Sequence, residues 1–276
     1  MKFESFLFES EIDTVKKELE STDQYLKAPN GKKTNLTARQ WLIVRTKSFK
    51  KWFGDWEHDP KSASKVLDEN NEPLVAYHGT TANFTRFEAE RSGEIGEDFG
   101  KLIFFTDDHR VASGYSIKMS NSKELNDAIS KRDGLWGDVS TAFIKFGVDS
   151  TEFKEARAKW EAADDERSKY YDSIINYELV TEGSNVIAGF LNIRRPYIVD
   201  GKGLNWRKVH TKAFEHYNDN KDKYDGVFVK NVVDSATTSS SHASVIYAFP
   251  KSNQIKSAIG NKGTFDKDSD HIHESA

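Results

Sequence analysis

The chain of 276 residues contains no cysteine. That single absence excludes disulfides, thiolate zinc sites, iron–sulfur ligation and a cysteine nucleophile. It fits a reducing compartment. No apolar run approaches the roughly 18 residues that a membrane helix needs, so neither a spanning segment nor a membrane partner is expected. Charge of one sign is not in excess: 40 basic against 44 acidic residues leave a net charge of −4. A global basic surface for non-specific nucleic-acid binding is therefore not expected, although a local patch stays open. The patterns G-x-G-x-x-G and G-x-x-x-x-G-K-[ST] are missing, which removes a Rossmann fingerprint and a P-loop. No internal repeat is found. What is present is an aromatic content of 12%, which argues against disorder for most of the chain. The length allows one or two domains with a real core.

Met1 to Ser10 reads as a short apolar–acidic leader or N-terminal arm. It lacks the basic start and long apolar middle of a secretory signal. Residues 11–62 read as a helical segment. Ile12, Val15, Leu19 and Tyr25 make an amphipathic helix to about Leu26, broken by Ala28-Pro29-Asn30-Gly31. Thr37 and Gln40 form a capping box that opens a helix carrying Trp41, Val44 and Phe49. Trp52, Phe53 and Trp56 follow as a dense aromatic cluster, expected as core or a docking face.

From Ser64 the character changes, and 63–265 reads as the main domain. Val66 to Asp68 and Leu74 to His78 predict a hairpin around Asn70-Asn71-Glu72-Pro73. Lys101 to Thr106 predicts a strand, and Asp107-Asp108 caps a short helix towards Tyr115. Residues 116–140 read as polar loop with one helix. Residues 152–177 predict a charged helix and 206–217 another. Strands are expected at 186–193, 196–199, 227–229 and 244–249. The polar tail, 266–276, is expected to fray. Strands and helices mix without regular alternation, which predicts an α+β fold.

Three segments could carry chemistry. His78 ends a strand and precedes Gly79, Thr80 and Thr81; glycine lets a ligand approach backbone N–H and C=O groups. A histidine there either binds a ligand or packs. In Ile103 to Asp108 a strand-end aromatic can present a flat face to a planar ligand, or Phe104 and Phe105 simply alternate between core and surface. In the third segment, two strands flank a Ser/Thr-rich loop at 231–243 that reads as a connector, with Asn253-Gln254-Ile255-Lys256-Ser257 beyond.

Taken in order, several phrases resemble the ADP-ribosyltransferase domain of phage and mobile-element polyvalent proteins, a diphtheria-toxin/PARP-like branch. They are Asn30-Gly31 to Leu36-Thr37, Gln40-Trp41, Val44-Arg45-Thr46, Phe49 to Trp56, Tyr77-His78-Gly79-Thr80, Phe105-Thr106-Asp107, Phe190 to Ile193, Asp225-Gly226 and Gln254 to Ser257. The resemblance spans about residues 24–260. It implies split antiparallel sheets around a cleft that holds NAD, with NAD as substrate and no metal. It implies His78 on a ribose hydroxyl, the Gly79 backbone on the nicotinamide carboxamide with Thr80 beside it, and Phe104 stacked on the nicotinamide ring. Ser113 and Tyr115 would close the pocket. Where relatives place a glutamate at the start of the strand 244–249, this chain has His242, Ser244 and Val245. Either Ser244 or Gln254 would then supply the third catalytic position.

The activity so implied is mono-ADP-ribosyl transfer from NAD to a macromolecular acceptor, a host protein or nucleic acid, with release of nicotinamide. Two alternatives stand beside it: a tRNA 2′-phosphotransferase-like enzyme, and an inactive NAD-binding or structural virion protein. Leu7-Phe8-Glu9 resembles the cleaved capsid-targeting leader of phage internal head proteins, which implies packaging in the virion and action in the host cytoplasm. The competing reading is an arm that docks Phe3, Phe6 and Phe8 on the body.

Overall fold

This computed structural model describes residues 3–80, 86–87, 101–116, 123–175, 185–234, 243–261 and 265–273. Thr81 and His242 lie outside these residues, as do the side chains of Phe3, Phe6 and Phe8. Helix α1, Phe3–Leu19, starts earlier than the periodicity suggests and runs straight through Leu7-Phe8-Glu9-Ser10. The capping box at Thr37 and Gln40 is present and opens α2, Ala38–Ile43. A single helix was expected from here, yet there are two. Thr46 adopts extended backbone and its hydroxyl accepts the Phe49 N–H at 3.2 Å, restarting the chain as α3, Lys47–Phe53.

The expected hairpin is reduced to one bridge, Leu67 to Pro73, before β1, Ala76–Thr80. Proline has no N–H to extend the ladder, and the Asp68 carboxylate instead takes the N–H groups of Asn70 and Glu72. Strand β2, Ile103–Thr106, leads into α4, His109–Ser116. Two long helices follow, α5, Lys123–Phe146, and α6, Thr151–Ile175. Much of α5 was expected as loop. It is helical because Leu135 and Val139 form a sparse apolar stripe that packs with Trp160 of α6. The remaining elements are β3, Asn185–Leu191; β4, Pro196–Asp200; α7, Trp206–Asn218; β5, Gly226–Val232; β6, Ser244–Phe249; and β7, Ile255–Ser257. No helix among the described residues is long and apolar enough to cross a membrane.

The seven strands lie in the order β4-β5-β6-β2-β1-β3-β7. The mixed α+β architecture is the one expected. It departs from a purely antiparallel arrangement at one edge, where β4 and β5 run parallel. The intervening α7 makes that crossover and packs on β5. The expected split falls between β1 and β2, which share a single residue pair, Tyr77 with Thr106. On either side the ladders are continuous: β1 pairs with β3 over five residues and β2 with β6 over four. The sheet is thus two half-sheets hinged at one register point.

The N-terminal helices share a core with the second half-sheet. Phe49 stacks on Phe53 at 5.0 Å and meets Phe190 of β3 and Phe265 edge-on at 5.1 Å each. The aromatic cluster is therefore core. Gly54, at φ +103, lies where a Cβ would come within 2.4 Å of Ala63, so no other residue fits. The tail does not fray as far as it is described. Ile272 is fully buried, its carbonyl accepts the Ser257 N–H at 2.8 Å, and the buried Lys256 ammonium reaches the Ser269 carbonyl at 2.8 Å. Burial of one isoleucine and capture of two backbone carbonyls outweigh the polar composition of this segment.

Candidate active site

The split between β1 and β2 organises the site. Antiparallel register from the Tyr77–Thr106 pair sets His78 opposite Phe105 and Gly79 opposite Phe104. Side chains alternate between faces, so His78 and Phe105 share one face, and Gly79 and Phe104 share the other. The rings agree: His78 lies 5.3 Å from Phe105 and 4.9 Å, edge-on, from Phe87.

His78 reaches into the split. Its Nδ1 lies 2.7 Å from the Phe104 carbonyl oxygen. A carbonyl only accepts, so Nδ1 carries the proton and Nε2 is the acceptor in the neutral ring. Burial pulls the His78 pKa below the ordinary histidine value, and the Phe104 carbonyl opposes that pull without reversing it. The ring is therefore neutral at pH 7 and presents a hydrogen-bond acceptor.

On the other face α4 is seated directly against β1. A Cβ on Gly79 would lie 1.7 Å from the Ala112 carbonyl oxygen and 2.9 Å from the Ser116 nitrogen. Glycine at 79 is what allows this contact. Tyr115, between those two positions in sequence, is 36% exposed, and its hydroxyl donates to the Asp234 carboxylate at 2.9 Å. Phe104, also on this face, lies edge-on to Phe214 at 5.7 Å and to Trp206 at 6.2 Å, both on α7. Helix α7 thus packs on the Phe104 ring.

The structure therefore groups His78, Gly79, Phe104 and Tyr115 around the split, with Thr80 next on β1 opposite Asn185. Ser113 is on α4, but its hydroxyl is turned back on the His109 carbonyl at 2.8 Å. Ser244 starts β6 opposite Val232, buried, with its hydroxyl 3.5 Å from the Val232 carbonyl. It borders an open recess of about 440 Å³ lined by Asp107, Asp108, His109, Arg110 and Ala243.

Gln254 is engaged by backbone. Its amide NH₂ donates to the carbonyls of Asp225 at 2.8 Å and Asn192 at 3.2 Å, and its oxygen accepts the Lys251 N–H at 3.1 Å. Each of these bonds goes to backbone. Asn192 lies five positions along the chain from Ile187, the partner of His78. At about 3.3 Å per residue that is on the order of 16 Å from the histidine's pair. Gln254 clamps the end of β3 to the start of β5.

Two carboxylates had no assigned role in the cleft on sequence grounds. The sequence pattern puts Asp107 with Asp108 as a helix cap. Only Asp108 caps, accepting the Arg110 N–H at 2.9 Å. Asp107 instead accepts the Val245 N–H at 2.8 Å and so extends the β2–β6 ladder with its side chain. Burial pushes the Asp107 carboxyl up, against the Val245 N–H that holds it down. Asp234 was hidden in a segment read as connector. The available signal was a carboxylate ending the apolar run Val232-Val233. Elsewhere, Asp55, Glu57 and His58 come close enough to share a cation. The cation already there is the Lys50 ammonium, 2.6 Å from Glu57 and 3.3 Å from Asp55.

The family model described as ADP-ribosyltransferase in polyvalent proteins matches residues 68–131. That segment contains β1, the split, β2 and α4, the elements that build the site. The match bears out the resemblance read from the sequence and supports a transferase of the ADP-ribosyl class. No curated protein and no solved structure matches the chain.

Proposed function

We propose that the protein is a mono-ADP-ribosyltransferase that consumes NAD and modifies a macromolecular acceptor. The observation that carries this reading is the split itself, with His78 pinned through Nδ1 to the Phe104 carbonyl and Gly79 opposite Phe104. In the reaction the bond between ribose C1′ and the nicotinamide nitrogen breaks. The bonding pair leaves with nicotinamide, which becomes neutral, and positive charge passes to the ribose. A lone pair of the acceptor then closes on C1′, and the acceptor loses its proton.

The protein's part is to bind and orient. The neutral His78 accepts at Nε2 from a ribose hydroxyl. The β1 backbone at Gly79 offers N–H and C=O to the carboxamide. Phe104 and Tyr115 supply aromatic faces to the nicotinamide, whose flat ring is recognised by stacking. The polyvalent-protein resemblance further supports an enzyme encoded by a phage or mobile element and acting on host macromolecules in the host cytoplasm.

The test is incubation of the purified chain with NAD labelled on the adenylate, with and without host lysate. Label in the protein or nucleic-acid fraction together with free nicotinamide is the expected result. A folded chain that releases no nicotinamide under either condition refutes the proposal.

A further inference from the structure

The Tyr115–Asp234 pair crosses the molecule in an unusual direction. Tyr115 is on α4, which packs chiefly on β1 and β3 of one half-sheet and touches β2 of the other. Asp234 follows β5 in the other half-sheet. The phenol–carboxylate contact, 2.9 Å to each oxygen, therefore spans the same split that His78 spans through Phe104.

Asp234 is also held in place. The preceding Val233 donates its N–H to the Leu204 carbonyl at 3.0 Å and accepts the Trp206 N–H at 2.9 Å. The Val233 side chain is buried against Val139 of α5 and Trp160 of α6, so the long helical hairpin leans on this point. Asp234 itself is only 4% exposed, whereas the ring it anchors is 36% exposed. Burying a carboxylate costs several kcal/mol unless it is well bonded. A buried side chain that follows a residue tied to three elements, and that anchors one half-open aromatic ring, is a positioning arrangement.

We propose that Asp234 positions Tyr115 as an aromatic wall of the dinucleotide site, and that the pair acts as a strap across the split. This rests on the NAD-dependent reading given above. The phenol has few directions in which to turn: one end is fixed to β5, the other by α4 sitting on Gly79. The ring then meets the nicotinamide pre-oriented, and the gain appears in NAD affinity and not in the chemical step.

The experiment compares Tyr115→Phe, Asp234→Ala, Asp234→Asn and the Tyr115→Phe/Asp234→Ala double variant. NAD affinity is read by calorimetry, KM and kcat by nicotinamide release, and folding by thermal melting. Loss of a hydrogen bond to a buried carboxylate should raise KM and Kd for NAD about tenfold in Tyr115→Phe and in Asp234→Ala, with kcat little changed. The double variant should lose less than the sum of the two single ones, because both remove the Tyr115–Asp234 bond. Asp234→Asn keeps an acceptor oxygen and should restore most of the affinity. Melting points that fall while KM and Kd stay at the wild-type values would overturn the strap and leave the transferase reading intact. Additive losses in the double variant would overturn it too. A wild-type chain that neither binds nor consumes NAD removes both proposals.

Discussion

The imidazole of His78 and the backbone carbonyl of Phe104 are joined across the gap between two half-sheets at 2.7 Å. One side chain thereby does two things: it spans a gap that the β1–β2 ladder leaves open, and it sets its own tautomer. The proton must be on Nδ1, which makes Nε2 the acceptor nitrogen of the ring.

His78→Ala should reduce turnover on the order of a hundredfold, the usual cost of removing a positioned polar group from a transfer site. The folded state should lose only about 1 kcal/mol with the bond to Phe104. Nicotinamide release and a urea melt on the same sample separate the two effects. A folded variant with near-normal turnover would remove His78 from the site.

The depressed His78 pKa gives a pH signature. Because the folded value lies below the ordinary value of 6.5, the unfolded chain binds the proton more readily. Below about pH 6.5 the unfolded state holds more protons, so stability from this group falls as the pH falls towards the folded value. NAD affinity should stay flat from pH 8 to about 6.5 and decline only below that. An NMR titration of the His78 ring protons, followed with NAD binding, checks both. A midpoint at or above the ordinary histidine value would contradict the burial argument.

Gly79→Ala should be far more damaging than its size suggests. The added methyl would sit 1.7 Å from a backbone oxygen of α4, and backbone cannot swing aside as a flexible side chain does. We expect a loss of about 3 kcal/mol or more and no measurable NAD binding. Gly134→Ala in α5 is the control, since nothing lies within 4 Å of its Cβ; it should stabilise by up to about 1 kcal/mol. Equal melting points for the two variants would show that α4 can retreat from β1.

Gln254→Ala should act on stability and not on chemistry. It leaves the half-buried carbonyls of Asn192 and Asp225 and the Lys251 N–H without this partner, at a cost of about 2 kcal/mol. Turnover per folded molecule should be unchanged at a temperature where the variant is fully folded. A selective fall in kcat with an unchanged melt would return Gln254 to the catalytic set.

Arg45→Lys tests the N-terminal cluster. The Arg45 guanidinium lies 3.8 Å from the Trp41 ring centre and 5.1 Å from Trp56, and it pairs with Glu57 at 3.2 Å and the fully buried Glu72 at 3.1 Å. Lysine cannot span both carboxylates while stacking on tryptophan. A loss of about 3 kcal/mol is expected in chemical denaturation. A loss under about 1 kcal/mol would show that the tryptophans alone hold this corner.

The sequence by itself determined what depends on near neighbours. The capping box at Thr37 and Gln40, the cap at Asp108, the strand-ending His78-Gly79 and the position of most strands follow from propensities and bonds reaching two to four residues. The phrases from Asn30 to Ser257 also carried the transferase resemblance, because each is a short local run and their order is fixed by the chain. Tertiary structure decided the rest. Which of Phe104 and Phe105 shares a face with His78 is a matter of register, set by one pair between strands 29 positions apart. Gln254 is structural because Asn192 and Asp225, 62 and 29 positions away, take its amide. Residues 269–272 of the tail are held because Lys256 and Ser257 meet their backbone. Asp234 and Tyr115 are 119 positions apart, and no local pattern could pair them. Hydrogen bonds and packing between distant segments depend on how the whole chain closes, and that is where the carboxylate of this site came from.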